Sequence, residues 1–178
     1  MKKLSPPVFD ELNDYYKSYW KYLKEDDLLS ALSEQGRNTL KFISTISDSV
    51  SNFIYAEEKW MLKEVIGHLC DTERILSYRA LRFARNDKTF LPGFEENDFI
   101  RESNFRSRSL KEIGEEWKTV RSATISLFSS MTDEIADRKG NANGVTISAR
   151  IILYFILVHE RHHLQIIKER YLSTAFSV

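Results

Sequence analysis

The stretch that most limits what this chain can become is Ile151–Tyr171, IILYFILVHERHHLQIIKERY. It begins as an unbroken apolar run and then sets three histidines within five residues. A helix turns about 100° per residue, so with His159 as origin Ile152, Phe155, Ile156 and Ile166 fall within about 60° of it. His163, four residues on, stays on that stripe, while His162 is turned roughly 100° from His163, towards the edge. Two imidazoles at i and i+4 on a buried face can reach one metal ion, as in helical zinc sites. A lone histidine there reads as a satisfied core residue. Two in register bring in a metal-binding alternative, which needs a third donor from elsewhere in the chain.

Upstream, apolar residues recur at helical spacing. Val8, Phe9, Leu12, Tyr15, Tyr16, Tyr19, Trp20 and Leu23 predict a short N-terminal helix, read as an arm over the rest rather than a ligand platform. Asp26 and Asp27 suit a helix start, followed by a face of Leu28, Leu32, Leu40, Ile43 and Ile46. Gly36 within it fits a close helix crossing, and Asp48–Asn52 reads as a turn. A second long helix runs from about Met61 to Arg85, with Leu62, Val65, Leu69, Leu76, Ala80 and Phe83 as its stripe. His68 lies at the border of that stripe, flanked by Glu64 and Asp71. Asn86–Arg108, which contains LPGF, has no helical period; it is long for a structureless connection and reads as a lid, a crossover, or both. Ser109 and Glu112 form a capping box. Leu110, Ile113, Trp117, Val120, Thr124, Leu127 and Met131 then give a bundle seam. GNANG, Gly140–Gly144, is a turn-rich loop, and Thr146 or Ser148 caps the last helix. No strand is expected. The fold class is therefore all-α: a four-helix bundle over residues 26–178 with an N-terminal helical arm over 1–25, in one domain.

At 178 residues the chain can bury a sizeable core. Lys plus Arg and Asp plus Glu both number 26, and this balance gives no basic footprint for nucleic acid. The single cysteine rules out an internal disulfide and fits a reducing cytoplasm. MKKLSPPVFDELND lacks the apolar core of a signal peptide, and Ile151–Val158 is far too short to span a bilayer. A cytoplasmic protein without a membrane partner is expected.

The chain has four histidines, and the one outside the last helix is His68. If the two helices face each other, His68, His159 and His163 converge. Three imidazoles with a fourth position open is catalytic rather than closed structural geometry. Zinc is the first choice of divalent ion; nickel, manganese and iron are compatible by ligand type. Cys70 points about 200° round the helix from His68 and reads as a small buried thiol. His162 falls outside the ligand trio. Asp71 either orients a ligand or accepts a proton, or it simply pairs with Arg74. Basic residues outnumber acidic ones between Arg79 and Arg108, which reads as a solvated face rather than a site for an anionic substrate.

YAEEKWMLKEVIGHLCDTERILSYRALRFARNDKTFLPGF (residues 55–94), joined to VHERHHLQIIKERY, resembles the DinB-like superfamily, and within it the YfiT or bacillithiol-transferase type of metal-dependent hydrolase. The motifs are a Trp before the helix, G-H-L-x-D-T-E-R, and H-E-x-H-H-L near the end. The resemblance implies a four-helix bundle in up-down-down-up order, a homodimer, and a divalent metal held by His68, His159 and His163. It also implies chemistry on a small molecule. That chemistry is either transfer involving a low-molecular-weight thiol or hydrolysis, through an open metal position. Met61 departs from the pattern: relatives place Thr or Ser there, where it caps the second helix. The competing expectation is a non-catalytic binding or structural bundle whose histidines are vestigial.

Overall fold

Four long helices carry the architecture: α1 (Leu28–Ile43), α2 (Leu62–Ala84), α3 (Leu110–Ser129) and α4 (Ala149–Ile166). The computed structural model describes residues 3–173, so the first two and last five positions of the expected domain lie outside the described residues. Each helix starts where local chemistry satisfies its orphan amides. Asp27 accepts from the Leu29 N–H, Ser109 and Glu112 bond reciprocally, and Ser148 rather than Thr146 accepts from the Ile151 N–H. At α2 the Met61 thioether makes no capping bond, but the Glu64 carboxylate accepts from the Met61 N–H at 2.7 Å, so half of the box survives. Past Ile166, α4 continues through a π turn over Ile167–Leu172.

Side-chain pairs give the helix directions. Cys70, Glu73 and Ser77 of α2 meet Ile113, Arg121 and Thr124 of α3 in the same order, so α2 and α3 run parallel. Gln35 reaches Glu160 and Lys168 lies over Phe42, so α1 and α4 run parallel too. The Tyr171 hydroxyl, beyond the end of α4, donates to the Trp60 carbonyl just before α2, so these two are antiparallel. The order is up-down-down-up. Two parallel neighbours in sequence need a return crossing as long as the helix, about 35 Å for the 23 residues of α2. That accounts for the long 85–109 segment. It carries a seven-residue helix, Glu96–Glu102, where no period was visible. Its far end is pinned by Lys63 Nζ on the Arg106 and Arg108 carbonyls and by Arg106 on Glu64.

Every residue from Ile151 to Val158 is buried, because α4 is surrounded on all sides. Two apolar clusters fill the bundle. One groups Leu28, Leu32, Phe83 and Phe128 with the start of α4; the other groups Ile66, Ile113, Trp117 and Tyr171. Between them lies a buried ionic layer. Arg121 grips Glu73 through two bonds of 2.9 and 2.7 Å and Glu160 at 2.7 Å, with its guanidinium over Trp117. Gln35 and Thr39 also donate to Glu160. Gly36 lies where α1 crosses α3: an added Cβ would sit 3.2 Å from Arg121 Cγ.

Three expectations are corrected. The N-terminal segment is not one helix but separate turns at Phe9–Glu11, Asp14–Lys17 and Trp20–Tyr22. Tyr15 and Tyr16, which share the Asp14–Lys17 turn, and Tyr19 all reach Phe155, at ring distances of 5.5, 5.1 and 5.1 Å. Asp48–Ser51 forms one helical turn capped by Ser47 rather than a plain turn. A hairpin is also present: β1 (Lys139–Ala142) pairs antiparallel with β2 (Val145–Ser148). Its two loop residues, Asn143 and Gly144, have φ of 53° and 77°, as a type I′ turn requires. Among the described residues no helix is long and apolar enough to cross a membrane.

Candidate metal centre

α2 and α4 run antiparallel and in contact, which sets the early part of one beside the late part of the other. His68 thereby meets His159 and His163. The ring centroids are 5.3 Å apart for His68–His159, 4.9 Å for His68–His163 and 4.5 Å for His159–His163. One nitrogen from each ring lies within 4.8 Å of the others, and the two Nε2 atoms on α4 are 3.1 Å apart. A tetrahedral ion with Zn–N near 2.0–2.1 Å sets its nitrogens about 3.3 Å apart, so the α4 pair is already close to that spacing.

Burial holds all three rings in the neutral form that a ligand needs. It lowers the His68 pKa to about 4, opposed by the Glu96 carboxylate. Burial, reinforced by the other histidines, lowers His163 to about 3 and takes His159 well below its ordinary value. Two imidazole nitrogens at 3.1 Å with little solvent are a donor set that fits a cation. The Thr72 hydroxyl, one turn after His68, stands 3.4 Å from the His68 ring nitrogens.

The trio opens into a cavity of about 480 Å³, a size suited to a small molecule. α2 contributes His68, Thr72, Leu76 and Arg79 to its wall, and α4 contributes Phe155 with its histidines. Tyr15, Tyr16 and Tyr19 of the N-terminal arm close one side. The arm is thus both packing and cavity wall, two readings the sequence set against each other. Gly93, Phe94 and the hairpin residues Ala142, Asn143 and Val145 line the cavity as well. LPGF reaches that position by adding to the hairpin edge: the Leu91 N–H donates to the Asn141 carbonyl at 3.1 Å, and the Asn143 N–H to Leu91 at 2.9 Å. An added Cβ at Gly93 would overlap the end of the exposed Asn143 side chain, which would have to swing aside.

The remaining candidates fall outside this arrangement. Asp71 is 3.7 Å from Arg74, with Glu116 and Arg108 as its other charged neighbours, and it does not line the cavity. Burial raises its pKa, opposed by Arg74. Cys70 is fully buried, with its thiol near the Ile113 carbonyl and its pKa pushed up by burial. His162 lines the cavity but shares its Nδ1 with the Tyr22 hydroxyl at 3.0 Å and is not in the converging group. In the HER triplet, three consecutive residues serve three surroundings. His159 faces the cavity, Glu160 the ionic layer, and Arg161 reaches outwards to Glu25 at 2.8 Å. Sequence reasoning missed Glu96 and Arg79, the charged lining residues other than histidine. The step of eleven residues from His68 to Arg79, three helical turns, was the available signal for the second.

The model of the DinB superfamily matches residues 31–167. The chain belongs to the DinB superfamily. No curated protein matches it in sequence. Solved structures share its fold, among them the following. YfiT from Bacillus subtilis, described as a probable metal-dependent hydrolase with an unusual four-helix bundle topology, aligns with a TM-score of 0.73 at 16% identity, covering 98% of this chain and 95% of its own. The DinB-like protein YjoA from Bacillus subtilis aligns at 0.59 and 16% identity, over 83% and 92% of the two chains. A mycothiol-dependent maleylpyruvate isomerase aligns at 0.62 and 12% identity, over 89% of this chain and 62% of its own. At these identities the likeness speaks for the fold, and this DinB superfamily member's own residues must carry the chemistry.

Proposed function

We propose that the protein is a divalent-metal-dependent enzyme acting on a small molecule, with His68, His159 and His163 as the metal ligands. The observation that carries this is the convergence of three imidazoles, His68 and His159 buried and His163 half-buried, at the wall of a cavity of about 480 Å³. Zinc is the first choice, from the all-imidazole donor set. A divalent ion held there would act as a Lewis acid and lower the pKa of a thiol or a water molecule beside it.

The chain's own residues supply the rest. The Tyr15, Tyr16, Tyr19 and Phe155 rings exclude bulk water from one side of the cavity. Glu96 is the carboxylate among the lining residues and the one that acts electrostatically on His68, so it replaces Asp71 as the group that takes a proton from the reactant. Cys70 is sealed away, so a sulfur nucleophile would have to arrive with a cosubstrate. Thiol S-transfer is therefore the reaction we place first, supported by the motif resemblance, with hydrolysis second.

The test begins with the metal content of purified protein. Conjugation of a model electrophile by low-molecular-weight thiols follows, alongside ester and amide hydrolysis. His68→Ala and His163→Ala should lose the metal and activity while keeping native helicity by circular dichroism. A metal-loaded wild type inert in every assay would sink the enzymatic reading. Metal-free native protein that takes up no added ion would remove the site itself.

A further inference from the structure

Among the described residues, the buried arginines Arg121 and Arg150 both sit against carboxylates: Arg121 on Glu73 and Glu160, Arg150 on Asp133 and Asp137. Arg79 is the exception. It is buried, it lines the cavity, and its described hydrogen bond is to a neutral acceptor, the Pro92 carbonyl at 2.6 Å. No ion pair is formed by it among the described residues. Desolvation of a charge without a counter-ion is costly, and a fold keeps such a group where something else supplies the opposite charge.

We propose that Arg79 anchors a carboxylate of the substrate, whose reactive end is then directed at the three histidines. This rests on the metal-site reading above and adds a substrate class to it: small molecules with a carboxylate at one end and the reacting group several bonds away.

Three observations carry it. First, His68, Thr72, Leu76 and Arg79 lie within about 80° of one another on α2, so they form one line along the cavity wall. Secondly, Pro92 belongs to the LPGF segment that the hairpin edge holds in place, so one guanidinium nitrogen of this cavity-lining arginine is fixed. A planar fork held in advance suits bidentate capture of a carboxylate, which a lysine could not reproduce. Thirdly, charge is divided along the cavity. Glu96 acts on His68, Tyr15 and Tyr19, whereas the neighbour that acts on Arg79 is Tyr16. An acidic group is thus repelled at the Glu96 side and accepted at the Arg79 side. On α2 the His68 and Arg79 backbone positions are about 16 Å apart along the helix. The arginine side chain leans towards the N-terminal end, which shortens the gap to a span that a small molecule can bridge.

The experiment uses metal-free full-length protein, so that a carboxylate cannot bind an ion at the histidines. Propionate, and separately inorganic phosphate, would be titrated into wild type, Arg79→Gln, Arg79→Lys and His163→Ala, with binding followed by calorimetry. Wild type and His163→Ala should bind propionate alike. Arg79→Gln should weaken it by about tenfold or more, the loss expected for a charge-assisted hydrogen bond. Arg79→Lys should fall between them. Equal affinity in wild type and Arg79→Gln, or no saturable binding by wild type, would overturn the proposal. Preference for phosphate over propionate through Arg79 would overturn the carboxylate assignment. Metal uptake by Arg79→Gln should match wild type, whereas His163→Ala should lose metal and keep propionate. The anchor and the metal site can therefore fail separately.

Discussion

Replacing Arg121 by Met should destabilise the fold by about 3–5 kcal/mol, the cost of breaking a buried ion pair by removing one partner. Methionine refills much of the arginine stem's volume, so the cavity contribution is small and the electrostatic one dominates. Three charge-assisted hydrogen bonds disappear, at 2.9, 2.7 and 2.7 Å, and two carboxylates are left facing each other. Both Glu73 and Glu160 are buried, at 4% and 2% exposure, so solvent cannot take over the role of the guanidinium. Glu160 keeps its bonds from Gln35 and Thr39, while Glu73 keeps none of those described. Glu73→Gln in the wild-type background should therefore cost less than Arg121→Met, because Arg121 still holds Glu160. The assay is urea unfolding followed by helix signal and tryptophan fluorescence together, with metal content measured in parallel. For a chain of this size each kcal/mol moves the midpoint temperature by about 2–4 °C, so the loss should also be plain in a thermal scan. A loss below about 1 kcal/mol with an unchanged m-value would refute the reasoning. It would mean that water enters the layer between the two apolar clusters and that the network is not sealed.

The metal-free protein should lose stability as pH falls below about 6.5, because unfolded histidines bind protons that the buried ones refuse. With the folded pKa of His68 at about 4 and that of His163 at about 3, the histidine share of the loss should be complete by pH about 3–4, while the ion-paired carboxylates add their own loss in that range. His68 alone would account for roughly 3 kcal/mol, and stability curves at several pH values for wild type and His68→Ala should differ in slope accordingly. Gly140→Ala would drive a methyl into the buried Phe83 ring and lift the hairpin from the end of α2. We expect about 1–3 kcal/mol of destabilisation and faster amide exchange at Asn141–Val145, and an unchanged exchange pattern would count against it.

Several features were legible without coordinates because the physics behind them is local. The i, i+4 register of His159 and His163 follows from helical geometry alone, as does the Ser109–Glu112 capping box. The apolar seams of the four helices needed only a 3.6-residue period. The hairpin was also local, in the Asn143-Gly144 dipeptide, but its strands are four residues each, and the first, KGNA, carries no apolar alternation. The N-terminal arm shows the limit of periodicity. Its spacing is helical, yet the segment forms separate turns whose tyrosines pack on Phe155, a partner far along the chain.

What the amino-acid order determined by itself was an all-α bundle and one pair of histidines facing inwards. Tertiary structure decided which neighbours those side chains met. His68 joins His159 and His163 because α2 and α4 run antiparallel. Asp71, three residues from His68, points to Arg74 instead, and Arg79 meets the Pro92 carbonyl because a hairpin far along the chain holds LPGF against it. A helix fixes the angle at which a residue leaves its own axis; only the packing of separate helices fixes what stands opposite.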